Sequence, residues 1–162
     1  MKIHKIIVFG LTASGKTTFA RKLSNVFHIK IYHTDDFAYK KKWTVKSTKK
    51  EFAKKLNKIL LKKEWIIEGV HSEWILSAIK KADLVIFLNP HKIIMVRRAL
   101  KRSKLKRREK DTFKQKLKLI YWIFRWGPKW YRKFDKFSKQ FIEINTDEEK
   151  QTLLKKLRIN KK

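Results

Sequence analysis

Residues 10–17 read Gly-Leu-Thr-Ala-Ser-Gly-Lys-Thr, which matches the phosphate-binding pattern G-x-x-x-x-G-K-[ST] at every required position. A short apolar, β-branched run, residues 3–9, precedes this stretch and is typical of a strand buried on both faces. Residues 16–27 follow it with a helical pattern. Because glycine permits backbone angles that turn successive N–H groups inward, Gly10 and Gly15 predict an anion-binding nest at a helix N-terminus.

The motif assigns separate tasks to the side chains of this loop. Lys16 is expected to reach the β- and γ-phosphates of a nucleotide, Thr17 to offer its hydroxyl to Mg²⁺, and Thr18 to reach the α-phosphate. The whole stretch is therefore a candidate binding site for ATP with Mg²⁺, formed by Gly10, Leu11, Thr12, Ala13, Ser14, Gly15, Lys16, Thr17 and Thr18.

Further strand and helix patterns alternate along the rest of the chain. Strands are expected at residues 29–32, 65–68, 84–88 and 141–144, and helices at 49–62, 73–81, 91–108, 112–126, 129–139 and 147–157. Thr48 and Glu51 are spaced as a capping box for the helix at 49–62. Five strands separated by helices predict one α/β domain over residues 1–162, with a parallel sheet covered on both faces.

The composition excludes several classes of protein. Hydrophobic residues make up 43% of the 162 residues, which is too many for a chain kept disordered by charge. The chain has no cysteine, so disulfide scaffolds, zinc–thiolate sites and Cys nucleophiles are excluded. No apolar run approaches the ~20 residues of a membrane-spanning helix. We expect a soluble, cytoplasmic protein.

The formal charge of +30 is concentrated in the C-terminal half. Residues 91–139 hold 19 basic and three acidic side chains, a formal charge of +16. Such a segment attracts polyanions, which include nucleotides, nucleic acid and anionic membranes. Because no helix-turn-helix, RNP or KH pattern accompanies it, only weak, non-specific binding of nucleic acid is expected. The alternative function is a P-loop ATPase or nucleotide-bound module that binds nucleic acid through this segment.

Several motifs together resemble the adenylate-kinase-like P-loop NTPase family, and in particular the proteins called DNA topology modulation protein FlaR. The resemblance rests on residues 10–18, 33–37, Trp43, 65–69, 82–88 and 98–102. It implies a three-layer, nucleoside-monophosphate-kinase-like fold, a five-stranded parallel sheet of order 2-3-1-4-5, and a short basic lid near residues 101–110. It also implies a kinase, with a poorly defined acceptor.

Three positions depart from the family pattern. Ala13 stands where adenylate kinases usually have a third glycine, and Asn89 stands where many FlaR-like chains have an acidic residue. Gly69 is not followed by the arginine that adenylate kinases use to hold a monophosphate. This last difference favours a hydroxyl acceptor over a nucleotide phosphate.

Carboxylates at the ends of two predicted strands are candidates for the chemistry. By resemblance, Glu68 is expected to bind the water shell of Mg²⁺, with pairing to a lysine as the alternative. Asp35 is the candidate general base or ligand for the acceptor hydroxyl, with Asp36 as its rival and a helix N-cap as the structural alternative. His33 is interpreted as a strand-end polar residue, and His71 as a weaker candidate for contact with the acceptor.

Basic and aromatic residues complete the prediction of an ATP-dependent small-molecule kinase. Arg98 and Arg102 share a helical face at positions where the resemblance places arginines for the γ-phosphate, and a solvated basic helix is the alternative. Arg107 and Arg108 follow in the lid. The aromatic residues of the region are expected to pack as core under the lid, with base stacking or membrane contact as alternatives: Phe113, Tyr121, Trp122, Phe124, Trp126, Trp130, Tyr131, Phe134 and Phe137.

Overall fold

Five parallel strands form the centre of the computed structural model, which describes residues 3–41, 45–69, 72–105, 113–125 and 134–159. For residues 39–41, 45–46, 72–75, 102–105 and 113–116 only the backbone is described. The parallel strands are β1 (Lys5–Gly10), β2 (Ile31–His33), β5 (Trp65–Gly69), β6 (Leu84–Leu88) and β7 (Phe141–Ile144). Their order is β2-β5-β1-β6-β7. Numbered among themselves they run 2-3-1-4-5, which confirms the predicted fold class.

Helices cover both faces of this sheet. They are α1 (Lys16–Phe27), α2 (Asp35–Ala38), α3 (Lys49–Leu60), α4 (Ser72–Lys81), α5 (Lys92–Leu105), α6 (Phe113–Arg125) and α7 (Asp147–Ile159). The capping box of α3 is confirmed: Thr48 Oγ1 accepts from the Glu51 N–H, and the Glu51 carboxylate accepts from the Thr48 N–H. No helix within the described ranges is both long and apolar enough to cross a bilayer.

The core lies in two layers because successive side chains of a strand point to opposite faces. Ile7 and Phe9 of β1 pack with residues of α3, α4, α5 and α6 on one face. Ile6 and Val8 pack with α1 and α7 on the other face. β1 is hydrogen-bonded to a strand on each side, so its C-terminal end and the loop after it lie at the middle of the sheet.

Three details of the sequence prediction are corrected. The second strand covers residues 31–33 instead of 29–32, and it is followed by a two-stranded antiparallel hairpin, β3 (Tyr39–Lys41) with β4 (Val45–Lys46), that was not predicted. The helix predicted at 129–139 does not continue through its described part. A single 3₁₀ turn, Asp135–Phe137, occurs there, while residues 129–133 lie outside the described ranges.

The prediction that the C-terminal aromatics form core is only partly right. Phe134 is buried and packs edge-on against Phe9 of the P-loop strand. Four others have substantial solvent exposure instead: Tyr121, Trp122, Phe124 and Phe137. Among residues 117–125 of α6, whose side chains are described, Ile123 is the fully buried one. Trp126, Trp130 and Tyr131 lie outside the described residues, as does the side chain of Phe113.

Candidate nucleotide and phosphoryl-transfer site

The loop between β1 and α1 has the geometry of an anion site. Gly15 is the N-cap of α1 in the left-handed conformation (φ 91°), and within the described chain no side chain caps it and no acidic residue stands in the first turn. The N–H groups of that turn have no intrahelical acceptor. They supply donors and a positive helix end, which together favour a phosphate.

Close packing explains why Gly10 begins this loop. A Cβ at Gly10 would collide with the carbonyl oxygen of Leu88, the last residue of β6, and would approach Ser14 Oγ to 2.9 Å. Ala13 also adopts a left-handed backbone (φ 61°), the conformation that glycine accommodates without a Cβ clash. Lys16 Nζ donates to the Leu11 carbonyl at 3.4 Å, so the Lys16 side chain lies over the loop that is predicted to bind the phosphates.

A chain of hydrogen bonds links the P-loop helix to the two neighbouring strands. Thr17 Oγ1 donates to Glu68 Oε1 at 3.1 Å. His33 Nδ1 donates to Glu68 Oε2 at 2.7 Å. The Glu68 residue is only 4% exposed. Neither of these contacts of Glu68 is a lysine, so the structure places the carboxylate between a threonine and a histidine at the carboxyl end of the sheet.

His33 is the last residue of β2, as the sequence interpretation expected, but its contact with Glu68 was not predicted. Its hydrogen bond to Glu68 raises the pKa of His33, against the lowering effect of burial, and the negative charges of Glu68 and Asp36 raise this pKa further. The parallel register pairs His33 of β2 directly with Glu68 of β5. The predicted strand order already made β2 and β5 neighbours. Comparing the polar residues at their carboxyl ends would therefore have predicted the contact between His33 and Glu68.

The two predicted acceptor-side carboxylates lie beside this chain. Asp35 and Asp36 form the first turn of α2, directly after β2. Thr34 positions that turn: its N–H donates to the Glu68 carbonyl at 2.8 Å, and its carbonyl accepts from the N–H groups of Phe37 and Ala38. Asp35 is half-buried and Asp36 is exposed. A Cβ at Gly69 would collide with the Thr34 side chain, which accounts for glycine at the end of β5.

On the other side of the loop, Arg98 joins α5 to the phosphate site. Arg98 Nη1 donates to the Ser14 carbonyl at 3.1 Å, and Nη2 pairs with Asp147 Oδ2 at 2.8 Å. Lys150 Nζ lies 2.7 Å from Asp147 Oδ1. A Cβ at Gly15 would lie 3.4 Å from Arg98 Nη1 and 3.6 Å from Lys150 Nζ, so both cations reach the loop.

Asp147 and Lys150 were not predicted from the sequence. The hydrogen bond from Lys150 lowers the pKa of Asp147 against the opposing effect of partial burial, and the charges of Lys150 and Arg98 lower it further. Lys150 is buried and lies on the same face of α7 as the buried Leu154 and Leu157. A lysine within an apolar stripe indicates a partnered charge, so the position of Lys150 was the sequence signal for this pair.

A cavity of about 620 Å³ opens next to Arg98. It lies between the P-loop, the end of β6, the start of α5 and the β7–α7 loop, with these residues in its wall: Leu11, Asn89, Pro90, His91, Lys92, Ile94, Met95, Arg98, Asn145, Thr146, Asp147 and Glu148. Asn89 Nδ2 donates to Glu143 Oε1 at 2.9 Å and to Asn145 Oδ1 at 3.4 Å, which ties the ends of β6 and β7 together.

Several predicted residues are not placed by the structure. Arg102 lies one turn after Arg98 on α5, but only its backbone is described. His71, Arg107 and Arg108 lie outside the described residues. Residues 106–110, the second half of the predicted lid, also lie outside the described residues.

Comparisons with known proteins identify the fold. No family model and no curated protein sequence matches the chain. Among solved structures, it is similar to a shikimate kinase from Acinetobacter baumannii in complex with shikimate (TM-score 0.64, 16% identity, 99% of this chain and 96% of that one). A shikimate kinase from Bacteroides thetaiotaomicron gives a TM-score of 0.63 at 12% identity over 98% of each chain. A gluconokinase from Sinorhizobium meliloti 1021 gives 0.60 at 12% identity, covering 97% and 94%. The chain has the P-loop kinase fold.

Proposed function

We propose that the chain is an ATP-dependent small-molecule kinase that transfers the γ-phosphoryl group of ATP to a hydroxyl group of a metabolite. The observation that carries the proposal is the Thr17–Glu68–His33 chain. It connects the helix of the phosphate-binding loop to His33 at the end of β2, two residues before Asp35. Donor and acceptor elements are thereby held at one edge of the sheet, where ligands bind in open α/β folds.

The donor nucleotide is assigned to the P-loop and the adjoining cavity. Residues 10–18 hold the triphosphate through backbone N–H groups, with Lys16 at the β- and γ-phosphates. The cavity beside Arg98 takes the nucleoside, since its wall combines apolar side chains such as Met95 with amide groups of Asn89 and Asn145. Its volume of about 620 Å³ is within the range of small-ligand sites.

The oxygen groups next to the P-loop fit Mg²⁺. Thr17 and Glu68 present a hydroxyl and a carboxylate, the hard donors that this cation prefers, and their oxygens are already close together. Thr17 would hold the ion directly and Glu68 through its water shell. The bound ion supplies positive charge to the phosphates during transfer. His33 holds the second oxygen of Glu68 and so fixes the direction of the carboxylate.

The reaction that these residues support is an in-line displacement. The acceptor hydroxyl oxygen forms a bond to the γ-phosphorus, while the bond from that phosphorus to the β–γ bridging oxygen breaks and ADP leaves. Asp35 accepts the proton of the hydroxyl. Lys16, Arg98 and Arg102 are proposed to neutralise charge on the transferring group.

The acceptor class follows from the loop after β5. An acceptor phosphate requires fixed cations in its pocket, and the sequence lacks the arginine after Gly69 that adenylate kinases use. Asp35 suits a hydroxyl acceptor, because a carboxylate accepts a proton from a hydroxyl but repels a phosphate. We therefore assign a hydroxyl-bearing metabolite as the acceptor.

The test is a screen of hydroxyl-bearing metabolites, nucleosides and nucleotides for acceptor-dependent release of ADP in the presence of Mg²⁺. Lys16→Ala is expected to reduce turnover by about 10² to 10³, the cost of losing one oriented charge at the transferring phosphate. Lys22→Ala, an exposed position on the same helix, is the matched control. ATP hydrolysis that needs no acceptor and is stimulated by nucleic acid at physiological salt would refute the kinase and favour the alternative.

A further inference from the structure

The helices α5 and α6 pack against each other and carry charge of one sign only. In sequence they contain ten Lys and Arg residues and no Asp or Glu. Like charges on adjacent helices repel, so an anionic partner would stabilise this pair of helices.

One face of α6 is both apolar and exposed. Leu117, Tyr121 and Phe124 follow each other at spacings of four and three residues, which places them in one stripe. They are 51%, 58% and 58% exposed, whereas Ile123 of the same helix is fully buried. The stripe therefore lies outside the part of the core that Ile123 joins.

The helix α5 also carries exposed apolar side chains. Ile93 is 62% exposed and Leu100, two turns later, is 48% exposed. Lys92 Nζ lies 5.2 Å from the centre of the Phe124 ring, so the beginning of α5 meets the end of α6. We call the exposed residues Ile93, Leu100, Leu117, Tyr121 and Phe124, with the neighbouring cations Lys92, Arg97 and Lys118, the α5–α6 surface.

We propose that the α5–α6 surface binds an anionic phospholipid membrane, with both helices lying in the plane of the interface. Large aliphatic and aromatic side chains enter the boundary between headgroups and acyl chains, while lysines and arginines keep their charges at the anionic headgroups. The combination of stripe and charge is that of an interfacial amphipathic helix.

The apolar residues distinguish a membrane from nucleic acid. The phosphates of nucleic acid would pair with the cations, and a base could stack on Tyr121 or Phe124. Ile93, Leu100 and Leu117 would gain nothing from either contact, because they offer no ring and no hydrogen bond. A lipid interface buries these three side chains as well, so both the apolar and the cationic residues of the surface make favourable contacts there.

The α5–α6 surface adjoins the proposed nucleotide site, because Lys92 belongs to the surface and also lines the cavity. Arg98, on the same helix, reaches the P-loop, and Met95 lines the cavity. Ile93 and Leu100 are exposed on α5 instead. The inference does not depend on the kinase activity, so it is tested by binding alone.

The experiment measures sedimentation of the full chain with vesicles of phosphatidylcholine, with or without phosphatidylglycerol. We expect binding to the mixed vesicles only. The variant Leu117→Ser/Tyr121→Ser/Phe124→Ser keeps the charge, and its binding should fall more than about tenfold, because burial of even one large apolar side chain is worth about that factor. Leu61→Ser/Ile159→Ser, at exposed apolar positions outside the surface, is the matched control and should bind like the wild type.

Circular dichroism and thermal unfolding of each variant establish that it is folded. Single-stranded DNA is measured in parallel as the competing polyanion. If mixed vesicles do not bind, or if the triple variant binds them as well as the wild type, the proposal is wrong. Tighter binding of DNA than of mixed vesicles at physiological salt, unaffected by the triple substitution, would also overturn it in favour of a purely electrostatic nucleic-acid surface.

Discussion

The Thr17 hydroxyl donates a hydrogen bond to the Glu68 carboxylate at 3.1 Å, so the first turn of α1 is tied to the end of the neighbouring strand β5. We expect Glu68→Gln to raise the Mg²⁺ concentration needed for half-maximal turnover by about 10- to 100-fold, the usual effect of losing an outer-shell partner of a metal. Magnesium titrations of the turnover rate measure this shift. Thr17→Val should act in the same direction.

Binding of ATP without Mg²⁺, measured by calorimetry, separates this role from a general loss of the site. It should be nearly unchanged in Glu68→Gln. Glu64→Gln removes a solvent-exposed carboxylate one residue before β5 and is the matched control. A Glu68→Gln protein with a wild-type magnesium titration would exclude the proposed role.

The acceptor side yields a second prediction. Asp35→Asn should preserve binding of ATP but reduce acceptor-dependent transfer by about 10² to 10⁴, the typical contribution of a general base. Asp36→Asn, at the exposed neighbouring position in α2, should change transfer much less. Steady-state kinetics of both variants with an identified acceptor measure the difference. If Asp36→Asn shows the larger loss, the roles of the two carboxylates are reversed.

Arg98 is predicted to act on the transferring phosphate more than on the bound ground state. Arginines in this role contribute about 10³ to 10⁵ elsewhere, and sharing the task with Arg102 should make the loss in Arg98→Ala smaller. We expect kcat to fall while the KM for ATP changes little. Arg97→Ala, at the preceding exposed position, is the control. Because Arg98 also lines the cavity, a raised KM with unchanged kcat would assign it to nucleoside binding instead.

The central parts of the fold were predictable because their determinants are local. The β-branched strand, the two loop glycines and the helix behind them lie within residues 3–27, and the Thr48–Glu51 capping box spans four residues. The site contacts that were missed are between residues far apart in the chain. His33 meets Glu68 through strand register, and Lys150 reaches the P-loop through the packing of α7, so neither contact follows from spacing.

The C-terminal aromatics were harder to place because helical periodicity does not say which of two apolar faces is buried. On α6 the face containing Ile123 faces the core, and the stripe of Leu117, Tyr121 and Phe124 faces outward. The prediction rested on helical spacing: the series Phe113, Leu117, Tyr121, Phe124 and the pair Trp122, Trp126 describe wide helical faces, and these faces were expected to pack under the lid. The short hairpin of β3 and β4 was missed because Tyr39–Lys41 and Val45–Lys46 are too short and too rich in lysine to show strand alternation.

The backbone of the P-loop gives a prediction about stability. Ala13 has φ 61°, a conformation that costs a non-glycine residue about 1–2 kcal/mol. Ala13→Gly removes this strain but adds about 0.4–1 kcal/mol of unfolded-state entropy, so a net stabilisation of about 0.5–1 kcal/mol is expected. Thermal unfolding should show a Tm increase of about 1–4 °C for a chain of this size.

His28→Gly, at a second left-handed position (φ 58°) that ends α1, provides the comparison outside the loop. A lower Tm in Ala13→Gly would show that the methyl group contributes more than the strain costs.

The Asp147 ion pairs predict how stability depends on pH. The hydrogen bond from Lys150, with the charges of Lys150 and Arg98, holds the pKa of Asp147 below its ordinary value of 3.8. A carboxyl group whose pKa is lower in the folded state stabilises the fold above its unfolded pKa, and this stabilisation is lost as the pH falls through the folded pKa. Asp147→Asn should therefore lower the free energy of unfolding by a constant amount at neutral and mildly acidic pH. The difference in unfolding free energy from the wild type should disappear well below pH 3.8.

Because the Asp147 side chain is 63% exposed, solvent screening limits the effect to about 1 kcal/mol or less. Urea unfolding across this pH range measures the free energy of unfolding. Glu148→Gln, at the next carboxylate in the first turn of α7, is the control for the interaction of a carboxylate with the helix dipole. An equal loss in both variants would mean that Asp147 stabilises the helix end and not the Arg98 and Lys150 pairs.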